Sequence, residues 1–219
     1  MAIRITTDRE AAQPRIDLRL VNSTQAGEHQ LSVTDDADGA RVVVGGNSAT
    51  MFDWARGGEI TVVLPPDLAR RLSVQTRQDA GVVLAQADLD QLIARTTHGP
   101  VLLSGTIRRV EVHTVHGDVI SRRPIAVADA FTATTADGDI TVDFRDAAPD
   151  RVEATTRNGD VVLGLPGRGP YLVRAQAGDS TKVQVPETNN ADAAAAEITA
   201  RSDDGDVVIE TVDQRRFRN

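Results

Sequence analysis

The chain's 219 residues carry 32 acidic and 24 basic side chains, a formal charge of −8, and no cysteine. So acidic a surface argues against nucleic acid as the ligand, and the missing thiols exclude a disulfide framework, a thiolate metal site and a cysteine nucleophile. No stretch reaches the roughly 18 apolar residues of a membrane span, and at 3% aromatic residues any core must be thin and filled by Val, Ile, Leu, Ala and Thr.

The opening residues, Met1 to Gln13, lack the apolar centre of a signal peptide. An extracytoplasmic, envelope location is therefore expected if an N-terminal export or anchor segment has been removed, and a cytoplasmic one otherwise. Ile16-Asp-Leu-Arg-Leu and Leu31-Ser-Val-Thr alternate apolar with polar residues and read as strands. They fall in a less regular region, 1–71, expected to cap the fold and blunt its open edge. Met51-Phe52-Asp53-Trp54 holds the sole tryptophan, and this apolar cluster is expected to plug the end of the fold.

A glycine then recurs, usually followed by an acidic and a β-branched residue, as in Gly117-Asp118-Val119, Gly138-Asp139-Ile140, Gly159-Asp160-Val161 and Gly205-Asp206-Val207. Gly39, Gly58, Gly81, Gly99, Gly117, Gly138, Gly159, Gly178 and Gly205 align at spacings of 19, 23, 18, 18, 21, 21, 19 and 27 residues. Periods near 20 are characteristic of repeat architectures built from one supersecondary unit each.

The columns around the glycine support this from residue 72 onward. Seven before it stand Val74, Leu92, Val110, Phe131, Val152, Tyr171 and Ile198; two after it stand Val83, Val101, Val119, Ile140, Val161 and Val207. Three before it come Thr96, Thr114, Thr135, Thr156 and Ser202. Alternate positions share one face, which is the period of a strand. His98, His116, Asp137, Asn158 and Asp204 precede the glycine, and residues of these types tolerate a positive φ. The pair they form with the glycine is expected to make a two-residue turn.

The expected fold is all-β: a β-solenoid of stacked units of 18–21 residues over 72–212 behind the irregular cap, one domain over 1–212. The alternative is an antiparallel β-meander or sandwich. With no long amphipathic helix to cover an open sheet, the apolar faces must cover each other, which favours stacked coils. The pattern slips around Gly178, where Ser180 and Lys182 occupy apolar columns and a one-residue bulge is needed. The last long unit holds Pro186-Glu-Thr-Asn-Asn-Ala-Asp and four alanines, an excursion with room for a helical turn. The basic stretch 213–219 is expected to be disordered.

The tandem motif, Thr135-Ala-Asp-Gly-Asp-Ile-Thr-Val and Thr156-Arg-Asn-Gly-Asp-Val-Val-Leu, resembles that of the bacterial "putative adhesin" β-strand-repeat family DUF4097, related to the toastrack domains of envelope-stress proteins. The resemblance runs from about Leu72 to Glu210, with a familiar approach at Leu64-Pro65-Pro66. It implies a solenoid-like module, often exported or tethered behind a membrane anchor, with no established enzymatic activity.

Three groups of residues invite a chemical reading. The acidic column Asp118, Asp139, Asp160, Asp179 and Asp206, with Glu59, has the oxygen ligands calcium favours, but each carboxylate equally suits a turn by accepting backbone N–H bonds. Structural turn roles are expected for Gly99, Gly117, Asp118, Gly138, Asp139, Gly159, Asp160, Gly205 and Asp206. His98, His116 and Asp137 fall on one ridge if the coils stack in parallel; zinc accepts such ligands, and an exposed, pH-sensitive pair is the other reading. Lastly, Arg95, His113, Thr132, Thr134, Thr155, Arg174, Thr199 and Arg201 are among the residues that face outward from the strands and form a polar surface for a glycan or protein. No catalytic residue and no cofactor is expected. The functional expectation is a non-catalytic, adhesin-like binding or scaffolding module of the bacterial envelope, its partner an envelope protein or glycan. The alternatives are a carbohydrate-active enzyme on a β-helix and a scaffold that self-associates through its coil ends.

Overall fold

The computed structural model describes residues 1–20, 29–36, 39–46 and 58–212. Each repeat contributes a longer strand before its glycine and a shorter one after it. The long strands are β6 (Ser73–Ala80), β8 (Leu89–His98), β10 (Thr106–His116), β12 (Ala126–Asp137), β14 (Arg151–Asn158), β16 (Leu172–Gln176) and β18 (Glu197–Asp204). The short ones are β7 (Val82–Gln86), β9 (Val101–Ser104), β11 (Val119–Ser121), β13 (Ile140–Asp143), β15 (Val161–Leu165), β17 (Thr181–Gln184) and β19 (Val207–Thr211).

Strands pair with their equivalents in neighbouring coils, in parallel. Val110 faces Leu92 on one side and Phe131 on the other; Val119 faces Val101 and Ile140. Residues 73–211 thus form a β-solenoid of two facing sheets, and the antiparallel meander is excluded. The long strands make a seven-stranded sheet, and the short ones extend into a ten-stranded sheet.

Alternation places one row of each sheet inside. Val83, Val101, Val119, Ile140, Val161 and Val207 are fully buried, facing Leu92, Ala94, Val112, Ala133, Ala154, Ile198 and Ala200 from the other sheet. Large residues at one position and alanines at the next let the two faces interlock. Each fully buried Val, Leu or Ile contributes about 1.5–3 kcal/mol. Phe131 and Phe144 pack edge to face, with centroids 5.3 Å apart and planes at 82°.

Both ends of the stack depart from chain order. β1 (Ala2–Thr7), unforeseen in the sequence, enters the ten-stranded sheet between β7 and β5 (Gly58–Leu64), so Met1 occupies the corner column beside Gly81. β2 (Arg15–Leu20) closes that edge as an antiparallel strand against β5, matching the expected cap strand. A short helix, α1 (Pro66–Ala69), leads from β5 into β6. At the other end β18 and β19 insert between β14–β15 and β16–β17. Gly205 therefore stacks on Gly159 rather than on Gly178.

Several column assignments change accordingly. Gly39 is no solenoid corner: it opens β4 (Gly39–Gly46), which forms an antiparallel hairpin with β3 (His29–Asp36). In the Gly178 unit Val173 aligns with Ile198 and Ala175 with Ala200, two residues later than the glycine spacing places them, while Tyr171 bridges to Glu187. After the corner a one-residue offset brings Val183 beside Ile209, the bulge-like correction the sequence calls for. The helical turn in the long unit is a 3-10 turn at Ala191–Ala193, capped by the Asn190 side chain. The Met51–Trp54 plug and the 213–219 tail lie outside the described residues.

Candidate functional site: the corner ladder and the outer faces

The recurring chemistry of the repeat is the corner itself. At Gly99, Gly117, Gly138, Gly159 and Gly205 the strand runs through the residue before the glycine and breaks at the glycine and the residue after it. Where a corner has a positive φ it falls on the glycine, +122° at Gly99, +151° at Gly138 and +136° at Gly159 but not at Gly117, and never on the preceding His, Asp or Asn. That corrects the expected turn pair, and the cause is steric. A Cβ on Gly138 would lie 2.6 Å from the carbonyl carbon of Gly117, because consecutive corners stack backbone on backbone.

From Gly117 to Gly205, three hydrogen bonds then tie each corner to the next. The glycine N–H donates to the carbonyl of the residue preceding the next glycine, as from Gly117 to Asp137 and Gly138 to Asn158, both at 2.9 Å. The glycine carbonyl accepts from a hydroxyl of the next coil: Thr135 to Gly117 at 3.0 Å, Thr156 to Gly138 at 2.9 Å, Ser202 to Gly159 at 2.7 Å. The aspartate Oδ1 accepts the following aspartate's N–H: Asp118 from Asp139 at 3.0 Å, Asp139 from Asp160 and Asp160 from Asp206 at 2.9 Å. Ser180, not Asp179, ends that ladder, donating its hydroxyl to Asp206 at 2.6 Å. Glu59 stands farther along the same sheet and pairs with Arg4 at 2.8 Å.

The histidines do meet on this ridge. The His98 and His116 rings stack with centroids 5.0 Å apart and planes 27° apart, and His116 Nδ1 lies 2.7 Å from Asp137 Oδ2. Asn158 Nδ2 donates to the other Asp137 oxygen at 2.5 Å. That bond, helped by the charge of His116, holds the Asp137 carboxyl below the usual carboxylate range. Among the described residues no group of three or more His, Cys, Asp or Glu is placed to hold a metal ion. His113 lies apart on the strand face, with Nε2 3.1 Å from Glu111.

The two outer faces differ. On the seven-stranded sheet the polar surface is cross-linked by ions: Arg95 to Glu111 at 2.6 Å, and Arg108 to Asp90 and Asp129 at 2.6 Å each. The Arg108 hydrogen bonds lower both aspartates' proton affinity. On the ten-stranded sheet the outward position between the two buried rows reads Leu84, Leu102, Ile120, Thr141, Val162 and Val208 across β7, β9, β11, β13, β15 and β19. All are partly exposed, and none belongs to the hydrophobic core or packs against it. Sequence reading missed this row, although its signal is there as the third residue after each corner glycine.

No curated protein matches the chain. Among solved structures, a "putative cell adhesion protein" from Clostridium sporogenes is similar at 10% identity and a TM-score of 0.38, over 96% of this chain and 87% of that one. The family model of Toastrack DUF4097 matches residues 69–210, well over half of the chain and the span of the stacked corners. The chain belongs to the Toastrack DUF4097 family.

Proposed function

We propose that the chain is a non-catalytic, adhesin-like binding or scaffolding module of the bacterial envelope. The supporting observation is where its acidic groups are engaged. Asp118, Asp139 and Asp160 hold the next coil's backbone, Asp90 and Asp129 hold Arg108, Glu111 holds Arg95, and Asp137 holds His116 and Asn158. Carboxylates bound this way rigidify a surface and do not pair as general acid and base across a cleft. What remains is broad, flat sheet of fixed geometry, the form in which solenoids bind their ligands.

The test is to offer the purified protein a glycan array and an envelope extract, and in parallel a panel of polysaccharides assayed for new reducing ends. The reading predicts saturable capture of a defined glycan or envelope protein without cleavage. Release of reducing ends that disappears in Glu111→Gln overturns it. A scaffold reading is supported by one feature: among the described residues both sheets finish on edge strands at the β16–β17 end, and the backbone of an edge strand templates further pairing. Sedimentation that shows monomer at all concentrations removes it.

A further inference from the structure

We infer that the outer face of the ten-stranded sheet is a docking surface for a cationic amphipathic helix, lying along the stack. This rests on the reading of the chain as a binding module and names the partner chemistry of one face. The aliphatic row Leu84, Leu102, Ile120, Val162 and Val208, broken by Thr141 and bounded by Arg4 on β1 and Lys182 on β17, crosses six neighbouring strands. At a coil spacing of about 4.8 Å it is roughly 24 Å long, the length of about 16 helical residues. Isolated surface aliphatics need no explanation, but an aligned row of them marks an interaction site.

Charge selects the occupant. Two residues back along the strands, on the same face and about 6.7 Å away, stand Asp118, Asp139, Asp160 and Asp206 in four adjoining coils. Each is fixed by the backbone or hydroxyl bond to its Oδ1, so the row is a rail of negative charge beside the apolar one. A helix with a narrow aliphatic stripe and Arg or Lys on its flank matches both rows at once. A second copy, itself at −8, an anionic bilayer or a nucleic acid brings charge of the wrong sign.

The probe is a synthetic helical peptide of about 18 residues with a leucine stripe flanked by arginines, alongside a version with glutamates in place of the arginines, titrated by fluorescence anisotropy onto the full chain. The arginine peptide is expected to bind, more weakly as salt rises, and the glutamate peptide not to bind. Ile120→Thr with Val162→Thr copies the Thr141 already in the row and should weaken binding about tenfold. Asp139→Asn with Asp160→Asn keeps each Oδ1 acceptor, removes the charge, and should weaken binding about fivefold and flatten the salt dependence.

Equal binding of both peptides, or unchanged binding by both double variants with native melting temperatures, overturns the proposal. So does a dimer dispersed by Ile120→Thr with Val162→Thr, which assigns the face to a second copy. Peptide binding that emerges only when Arg215, Arg216 and Phe217 are replaced by alanine assigns the face to the chain's own end and likewise overturns it. If the peptides fail while capture of a glycan or envelope protein persists, the binding-module reading stands and only this face is wrongly assigned.

Discussion

Replacing Gly138 with alanine tests the corner where the coils touch. The new methyl would sit 2.6 Å from the Gly117 carbonyl carbon and 3.0 Å from Asp118 Oδ1, at a backbone φ of +151°. An L side chain in that region of φ costs about 1–3 kcal/mol. The overlap is with backbone, so no rotamer relieves it and the coils must part. Three bonds cross that contact: Thr135 to Gly117 at 3.0 Å, Gly117 to Asp137 at 2.9 Å and Asp139 to Asp118 at 3.0 Å. At about 1 kcal/mol net for each, their loss and the strain together reach roughly 4–6 kcal/mol. For a chain of this size the melting temperature should fall by roughly 10–20 °C. Gly167→Ala is the control, because nothing lies within 4 Å of its added methyl, and it should change stability by less than about 0.5 kcal/mol. Thermal and urea unfolding followed by circular dichroism read both. A Gly138→Ala protein that melts within about 2 °C of the parent, or a Gly167→Ala protein that falls as far as Gly138→Ala, refutes the corner argument.

The hydroxyl column gives a paired test: Thr156→Val loses the bond to Gly138 and should destabilise by about 1 kcal/mol or more. Thr114→Val removes a buried hydroxyl with no partner and should be neutral or stabilising, as urea midpoints will show. Asp139→Asn should retain the melting temperature while Asp139→Ala lowers it, because only the amide keeps an acceptor for the Asp160 N–H. Phe131→Ala should cost about 3–5 kcal/mol, since it opens a cavity beside Phe144. Acid should unfold the protein through its ladders: Asp90 and Asp129 on Arg108, Asp137 on Asn158 and Glu59 on Arg4 all have lowered proton affinity. A carboxyl lowered in the folded state stabilises above its unfolded value near 4 and loses that contribution as pH falls below it. The melting temperature should thus drop below about pH 4, and Arg108→Met should flatten that drop.

The repeat was legible because identical environments recur in the stack. The column two after the glycine became a fully buried row from Val83 to Val207, and similar residues in one column already implied like beside like. Three features were hidden for physical reasons. β1 joins a neighbour 57 residues away, Ala2 beside Glu59, and Met1 takes a glycine's place in the corner column, so no local motif marks it. The inserted β18–β19 coil uses the same columns as its neighbours, and column identity cannot say which coil lies beside which. The aliphatic row was masked because Val82-Val-Leu84, Val101-Leu-Leu103 and Val161-Val-Leu163 are continuous apolar runs, in which alternation no longer separates inside from outside. At the corner, the ridge of His98, His116 and Asp137 was correctly assembled from the spacing. Its chemistry was not: ring stacking and the Asn158 bond depend on side-chain directions that spacing does not carry.

The central claim is parallel stacking through the corner ladder, with the last coil inserted one place inward. Cross-linking measures it directly in a chain free of cysteine. Thr155 lies beside Arg201 in adjoining strands, and Gln176 lies beyond Arg201. Thr155→Cys with Arg201→Cys places two Cα atoms about 4.8 Å apart, within disulfide reach, whereas Thr155→Cys with Gln176→Cys spans two coils, about 9.6 Å, and is out of reach. Mild oxidation followed by mass spectrometry should find the first disulfide and not the second. A disulfide between 155 and 176, with none between 155 and 201, contradicts the account.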